Sequence, residues 1–158
     1  MCIRDRIWGD LTWRAKLEVG NIVPFRTVGA GVTNGGVQAS ERFRLGGPNS
    51  LRGYPAYSIG PLRTFPADGR VFVNGGKNEL FSMWELEYPI ANEIGLKAVL
   101  FYDAGDAFDE WKLNLKHNWG FGVRWFSPLG PLRFEWGYPL KCGGGCESEF
   151  NFMIGPPF

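Results

Sequence analysis

Apolar and polar residues alternate with period two along most of this chain. Between Thr12 and Val19, the residues Trp13, Ala15, Leu17 and Val19 share one parity and Thr12, Arg14, Lys16 and Glu18 the other. Such a pattern predicts a strand with two unlike faces. After Gly75-Gly76 it resumes, with Leu80, Trp84, Leu86, Tyr88 and Ile90 set against Glu79, Glu85 and Glu87. Ala91-Asn92-Glu93 turns the chain into a third strand. There Ile94, Leu96, Ala98, Leu100 and Tyr102 oppose Lys97, Val99, Phe101 and Asp103, and Asp103-Ala104-Gly105-Asp106 closes it. A fourth, Lys116 to Ser127, alternates Trp119, Phe121, Val123 and Trp125 with Asn118, Gly120, Gly122 and Arg124. Past the tight turn Ser127-Pro128-Leu129-Gly130-Pro131, a fifth sets Leu132, Phe134, Trp136, Tyr138 and Leu140 against Arg133, Glu135 and Gly137. The last sets Phe150, Phe152 and Ile154 against Glu149, Asn151 and Met153, and ends on Phe158.

These six strands are about ten residues long, the length a tilted strand needs to cross a bilayer. The large aromatics lie on the apolar face, several near strand ends, as in interfacial girdles. Charges and glycines occupy the other face and suit a water-filled lumen. The predicted class is therefore all-β, an antiparallel transmembrane β-barrel rather than a soluble sandwich. Single-chain bacterial barrels begin at about eight strands, so the chain reads as the C-terminal part of a larger barrel, open at both edges.

Residues 33–76 break the alternation. Loops this long are usually either functional or disordered, and Phe43, Tyr54, Tyr57, Phe65 and Phe72 give this one apolar surface to pack. At its centre, Leu51-Arg52-Gly53-Tyr54 sets a guanidinium beside a conformationally free glycine and an aromatic anchor. A charged loop tip of this kind is expected to fold back into a polar cavity.

Composition narrows the function. The 17 Lys and Arg against 16 Asp and Glu leave a net charge of +1, which gives no electrostatic case for a nucleic-acid partner. With 23 glycines and 16% aromatic residues, the chain fits a β architecture with aromatic girdles. His117 is the single histidine, so a metal centre lacks ligands and no cofactor is expected. Cys142 and Cys146 flank three glycines; in an oxidising compartment they form a local disulfide across a hairpin tip, and two free thiols are the alternative. Met1-Cys2-Ile3-Arg4-Asp5-Arg6 has neither the apolar core nor the cleavage site of a secretory signal. Residues 1–6 read as a non-native leader outside the fold, joined to a barrel segment at 7–158.

Four motifs occur in order: Arg42-Phe43-Arg44-Leu45-Gly46-Gly47 with Ser50-Leu51-Arg52-Gly53-Tyr54; Leu100-Phe101-Tyr102-Asp103-Ala104-Gly105; Trp125-Phe126-Ser127-Pro128-Leu129-Gly130-Pro131-Leu132-Arg133-Phe134; and the terminal Phe158. Together they resemble the C-terminal barrel of the bacterial surface-antigen superfamily of outer-membrane assembly factors, over about residues 11–158. The resemblance implies the last six strands of a sixteen-stranded barrel preceded by periplasmic POTRA domains. It implies that the loop at 33–76 enters the lumen and that Arg52 meets acidic partners, matched here by Glu87 and Asp103.

The function implied is that of a non-enzymatic insertase in the cell outer membrane. Its partners are unfolded outer-membrane β-barrel clients, accessory assembly lipoproteins, the lipid bilayer and lipopolysaccharide. Client strands pair at a weak barrel seam, one side of which is Glu149–Phe158, where Gly155-Pro156-Pro157 removes two backbone donors. Phe158, in phase with Phe150, Phe152 and Ile154, is expected to act as an assembly signal. Two alternatives belong to the same superfamily: a two-partner secretion pore, and the barrel of a patatin-like enzyme. No Gly-x-Ser-x-Gly nucleophile elbow supports the second.

Overall fold

The alternating segments become the strands of one antiparallel sheet in the computed structural model, which describes all residues except 25–36, 65–68, 111, 113, 129, 142–146 and 156–158. Its strands are β1 (Cys2–Trp8), β2 (Leu11–Asn21), β5 (Asn78–Ala91), β6 (Leu96–Phe108), β7 (Lys116–Ser127), β8 (Gly130–Pro139) and β9 (Glu149–Ile154), each paired with the next. Between β2 and β5 the long loop carries a 3-10 turn at Ala39–Glu41 and a small hairpin of β3 (Leu62–Thr64) and β4 (Val71–Val73).

Two tight turns fix the lower hairpins. Gly95 has φ +69° and its carbonyl accepts from Phe126 N at 3.0 Å, joining the β5–β6 turn to β7. Ser127 Oγ donates to Gly130 O at 2.7 Å across the β7–β8 turn. β-branched or bulky residues are disfavoured at a positive φ, which is why glycine stands at 95.

The two faces are inverted relative to a protein folded in water. Outward, Trp84 is 47%, Leu100 57% and Phe152 51% exposed, whereas inward Arg52, Asp103 and Asn118 are fully buried. Trp84, Tyr102, Trp119 and Tyr138 stand in register on four adjacent strands and form one aromatic rung. Trp119 and Tyr138 stack with ring centroids 5.1 Å apart. An exposed apolar face this continuous is a membrane-facing surface.

The apolar core lies between loop and wall. Leu45, Leu51, Tyr54 and Ile59 of the loop pack against Phe81 and Met83 of β5 and Ala107 of β6. Isolated bridges Phe43↔Gly76 and Leu45↔Ile59 give the loop its own framework.

Four expectations change. The sheet has seven strands rather than six, because Cys2–Trp8 pairs with β2 from Cys2↔Lys16 to Trp8↔Leu11. Residues 2–6, expected outside the fold, lie in that strand: backbone pairing needs no alternation, and Arg4-Asp5-Arg6 offers none. β6 continues past Asp103 to Phe108: Ala107 packs in the core with the loop, Phe108 runs against Gly76, and Asp106 accepts from Asn114 N at 2.8 Å. The lumen at the loop tip is packed rather than water-filled.

Candidate functional site

The loop tip is folded on itself before it meets the wall. Gly47 N donates to Leu51 O at 3.1 Å and to Tyr54 O at 2.9 Å, and Gly46 N to Ser50 Oγ at 2.9 Å. Gly46 (φ +108°) has no room for a side chain, as a Cβ would lie 2.3 Å from Pro55 O. This turn aims Leu51 into the core and Arg52 along the wall.

Arg52 reaches three strands through its side chain. Its Nε donates to Asp103 Oδ2 at 2.9 Å and its Nη2 to Asp103 Oδ1 at 2.6 Å, a bidentate pair. Nη1 pairs with Glu85 of β5 and lies 3.4 Å from Glu135 Oε2 of β8. The guanidinium also sits over the Phe101 ring, 3.7 Å from its centroid, a stacked geometry available to arginine but not to lysine. Burial opposes the charge, but Asp103, Glu85 and Glu135 outweigh it and hold the Arg52 pKa above the ordinary arginine value. The tip therefore stays cationic at any physiological pH.

Tyr54 fixes the other end. Its hydroxyl donates to His117 O at 3.0 Å or Lys141 O at 2.8 Å, at the start of β7 and just beyond β8. Burial raises its pKa, against the lowering effect of contacts with Lys141 and His117.

Glycines on the inner face make the floor. A Cβ at Gly137 would lie 2.5 Å from Arg52 O, one at Gly53 would meet Asn118 Cβ at 2.6 Å, and one at Gly105 would come within 3.0 Å of Leu51 Cδ1. At Gly120 it would strike the Phe101 ring at 2.3 Å. Gly120 and Gly137 read as lumen-lining positions from the sequence; at Gly53, Gly105 and Gly137 loop and wall approach too closely for any side chain, and at Gly120 the Phe101 ring takes the space.

Around the tip extends a buried ionic network. Arg124 of β7 pairs with Glu87 and with Glu85 (Nη2–Oε1 2.6 Å) and Glu135 (Nη2–Oε1 2.9 Å). Arg133 pairs with Glu135 at 2.9 Å and Arg14 of β2 with Glu87 at 3.0 Å. Asn118 Nδ2 supports Asp103 Oδ2 at 2.9 Å.

Of the residues singled out from sequence, the structure brings Leu51, Arg52, Gly53, Tyr54 and Asp103 together. It does not place Glu87 on Arg52. Glu87 stands two residues along β5 from Glu85, on the same face but farther from the tip, and is held by Arg124 and Arg14. Glu85 and Glu135 take the role assigned to it. Parity alone put Glu85 on the correct face beside Glu87; only strand register separates the two. Phe150, Phe152 and Ile154 lie on the exposed outer face of β9. Phe158 and the Cys142–Cys146 pairing lie outside the described residues, and Cys2 is a free, exposed thiol.

The geometry has parallels among known proteins. The Omp85 superfamily domain matches residues 9–158. The chain is 34% identical over 154 residues to the outer membrane protein assembly factor BamA of Nitratidesulfovibrio vulgaris, covering 90% of this chain and 19% of that protein. It is 28% identical over 150 residues to BamA of Neisseria meningitidis serogroup B, covering 75% and 19% respectively. A plant relative, outer envelope protein 80 of Arabidopsis thaliana chloroplasts, is 32% identical over 127 residues, 73% of this chain and 15% of that one. In fold, the chain is similar to the crystal structure of BamA from Haemophilus ducreyi lacking POTRA domains 1–3. The TM-score is 0.72 at 22% identity, over 90% of this chain and 31% of the other. The chain thus spans about a fifth of the length of the assembly factors it matches. With its barrel-type sheet, its seated loop and a family match over nearly its whole length, the chain belongs to the Omp85 superfamily of outer-membrane proteins.

Proposed function

We propose that this chain is the loop-bearing and seam-forming segment of an outer-membrane protein assembly factor, a non-enzymatic insertase for β-barrel clients. The observation that carries the reading is its 34% identity, over 90% of its length, to a protein named as such a factor. The family match, over residues 9–158, spans both the clamped loop and the terminal strand.

The chemistry is that of a sheet edge. β9 ends the sheet and has six residues against ten to fourteen in β5 to β8. It pairs with β8 from Leu132↔Ile154 to Gly137↔Glu149. Backbone groups on its far side are satisfied only by another strand, because lipid offers no hydrogen bonds. A client strand that adds there gains its ladder before it loses water, which lowers the barrier to insertion. The Gly155-Pro156-Pro157 sequence beyond β9 shortens the ladder a closing strand could form. Accessory lipoproteins and lipopolysaccharide contacts belong to the same reading.

The test uses the full-length protein of which this chain is part, expressed in cells depleted of their resident assembly factor. A photo-crosslinker in place of Phe152 is expected to capture client strands, and heat-modifiable folded porins are expected to return. Export of a secreted partner with no recovery of porins would instead assign a secretion pore and refute the insertase.

A further inference from the structure

Arg52 also grips the wall through its main chain. Its backbone carbonyl accepts a hydrogen bond of 2.9 Å from Asn151 Nδ2, on the inner face of β9. Asn151 stands opposite Glu135 in the β8–β9 ladder, and Glu135 Oε2 faces the guanidinium of the same arginine. Arg52 therefore has two grips: its side chain on β5, β6 and β8, its carbonyl on β9.

The contact depends on Gly137 of β8. Any Cβ there would come within 2.5 Å of Arg52 O and 2.7 Å of Gly53 Cα, lifting the tip out of reach of Asn151. The side-chain chemistry is also specific. An acceptor carbonyl needs a donor, and among the residues around the tip the amide supplies one where a carboxylate of the same shape cannot. Among the described residues, each of the other strands that grip Arg52 pairs on both sides, whereas β9 pairs with β8 alone.

We propose that Asn151 is a positioning residue that couples seating of the Leu51–Tyr54 tip to the placement of β9. With the tip down, the bond from Asn151 holds the strand inward against β8; with the tip lifted, the strand loses its only described side-chain tie to the loop. The coupling itself follows from the contact, while its use in admitting client strands rests on the insertase reading above.

Hydrogen exchange with mass spectrometry on the full-length protein in lipid vesicles tests this. Asn151→Asp keeps the shape and removes the donor, and it should speed exchange at residues 51–54 about two- to tenfold, the range that loss of one net hydrogen bond supports. In return, Arg52→Ala should speed exchange across 149–154. Glu149→Gln, on the same strand and face, should leave residues 51–54 at the wild-type rate. Should the Asp variant fail to fold, Asn151→Ala carries the same expectation without adding charge. Faster exchange confined to β9 in the Asn151 variants, or an equal effect from Glu149→Gln, overturns the proposal. No client enters this measurement, so coupling without porin recovery would refute the insertase alone.

Discussion

Replacing Arg52 by methionine keeps most of the stem and removes the charge, and the structure ranks what that change does. Arg52, Glu85 and Asp103 are buried to within 1% of complete, and Glu135 likewise. Breaking a buried ion pair by removing one partner costs roughly 3–5 kcal/mol, because the other charge stays behind. Here the lower end, about 3 kcal/mol, is expected: Asp103 keeps its bond from Asn118, and Glu85 keeps Arg124. The decisive quantity is the coupling of Arg52→Met with each carboxylate variant, measured as urea unfolding of the full-length barrel in lipid. Contacting residues couple by about 0.5–3 kcal/mol. Asp103→Asn, facing the bidentate pair, should couple most strongly, Glu85→Gln next, and Glu87→Gln least, since it reaches Arg52 only through Arg124. A Glu87 coupling equal to that of Asp103 would refute the placement of the tip, whatever the single variants cost.

Gly120→Ala should destabilise by about 1–3 kcal/mol, the overpacking range, because its Cβ would meet Trp136 O at 2.2 Å and the Phe101 ring at 2.3 Å; a lower melting temperature and faster proteolysis of the loop would register it. Tyr54→Phe, which loses both carbonyl contacts, should speed proteolysis of the loop while leaving the sheet's circular dichroism unchanged. Cys142 and Cys146 are expected to be joined, with a stabilisation below the usual ~2–4 kcal/mol because the closed loop is short; unreduced mass spectrometry should show the pair lighter by two hydrogens, and two alkylatable thiols would exclude it. Deleting Phe158 should lower the heat-modifiable folded fraction of the full-length protein in the outer membrane, and unchanged folding would remove its role as an assembly signal.

Which face of each strand meets lipid was legible from alternation, because period two makes face a property of sequence position: Trp84 is half exposed and its neighbour Glu85 buried, as parity requires. Register was not legible, because it is set by pairing between distant strands, so Glu85 and Glu87 could not be told apart. The resemblance pointed to Arg52 and Asp103, while Glu135, Arg124, Asn118 and Asn151 carried no local signal beyond a shared parity. The glycines at 120 and 137 were visible but misread, since absence of a side chain looks the same whether water, a neighbouring ring or a loop fills the space. β1 was missed for want of alternation; its partner supplies the order its own residues lack.

The charge count explains why the tip is an arginine rather than a larger apolar residue. Leaving aside Glu79 and Asp106, which are buried farther along β5 and β6, the network around the tip sets Arg14, Arg124 and Arg133 against Glu85, Glu87, Asp103 and Glu135 and is one cation short. Lys97, a quarter exposed, reaches Glu87 at 3.7 Å and lies over the Phe126 ring, away from the tip. Arg52 supplies the missing charge and makes the cluster neutral. An apolar tip could slide along the Phe81, Met83 and Phe101 surface with little change in burial, since hydrophobic contact is non-directional. A guanidinium that must meet Asp103 with two bonds while stacking on Phe101 has one seat, and any displacement leaves Asp103 buried without its cation, held by Asn118. Such pairs add little net stability compared with apolar packing; what they add here is a defined position. That position sets where the Arg52 carbonyl meets β9, so the ionic cluster and the terminal strand are aligned by one residue.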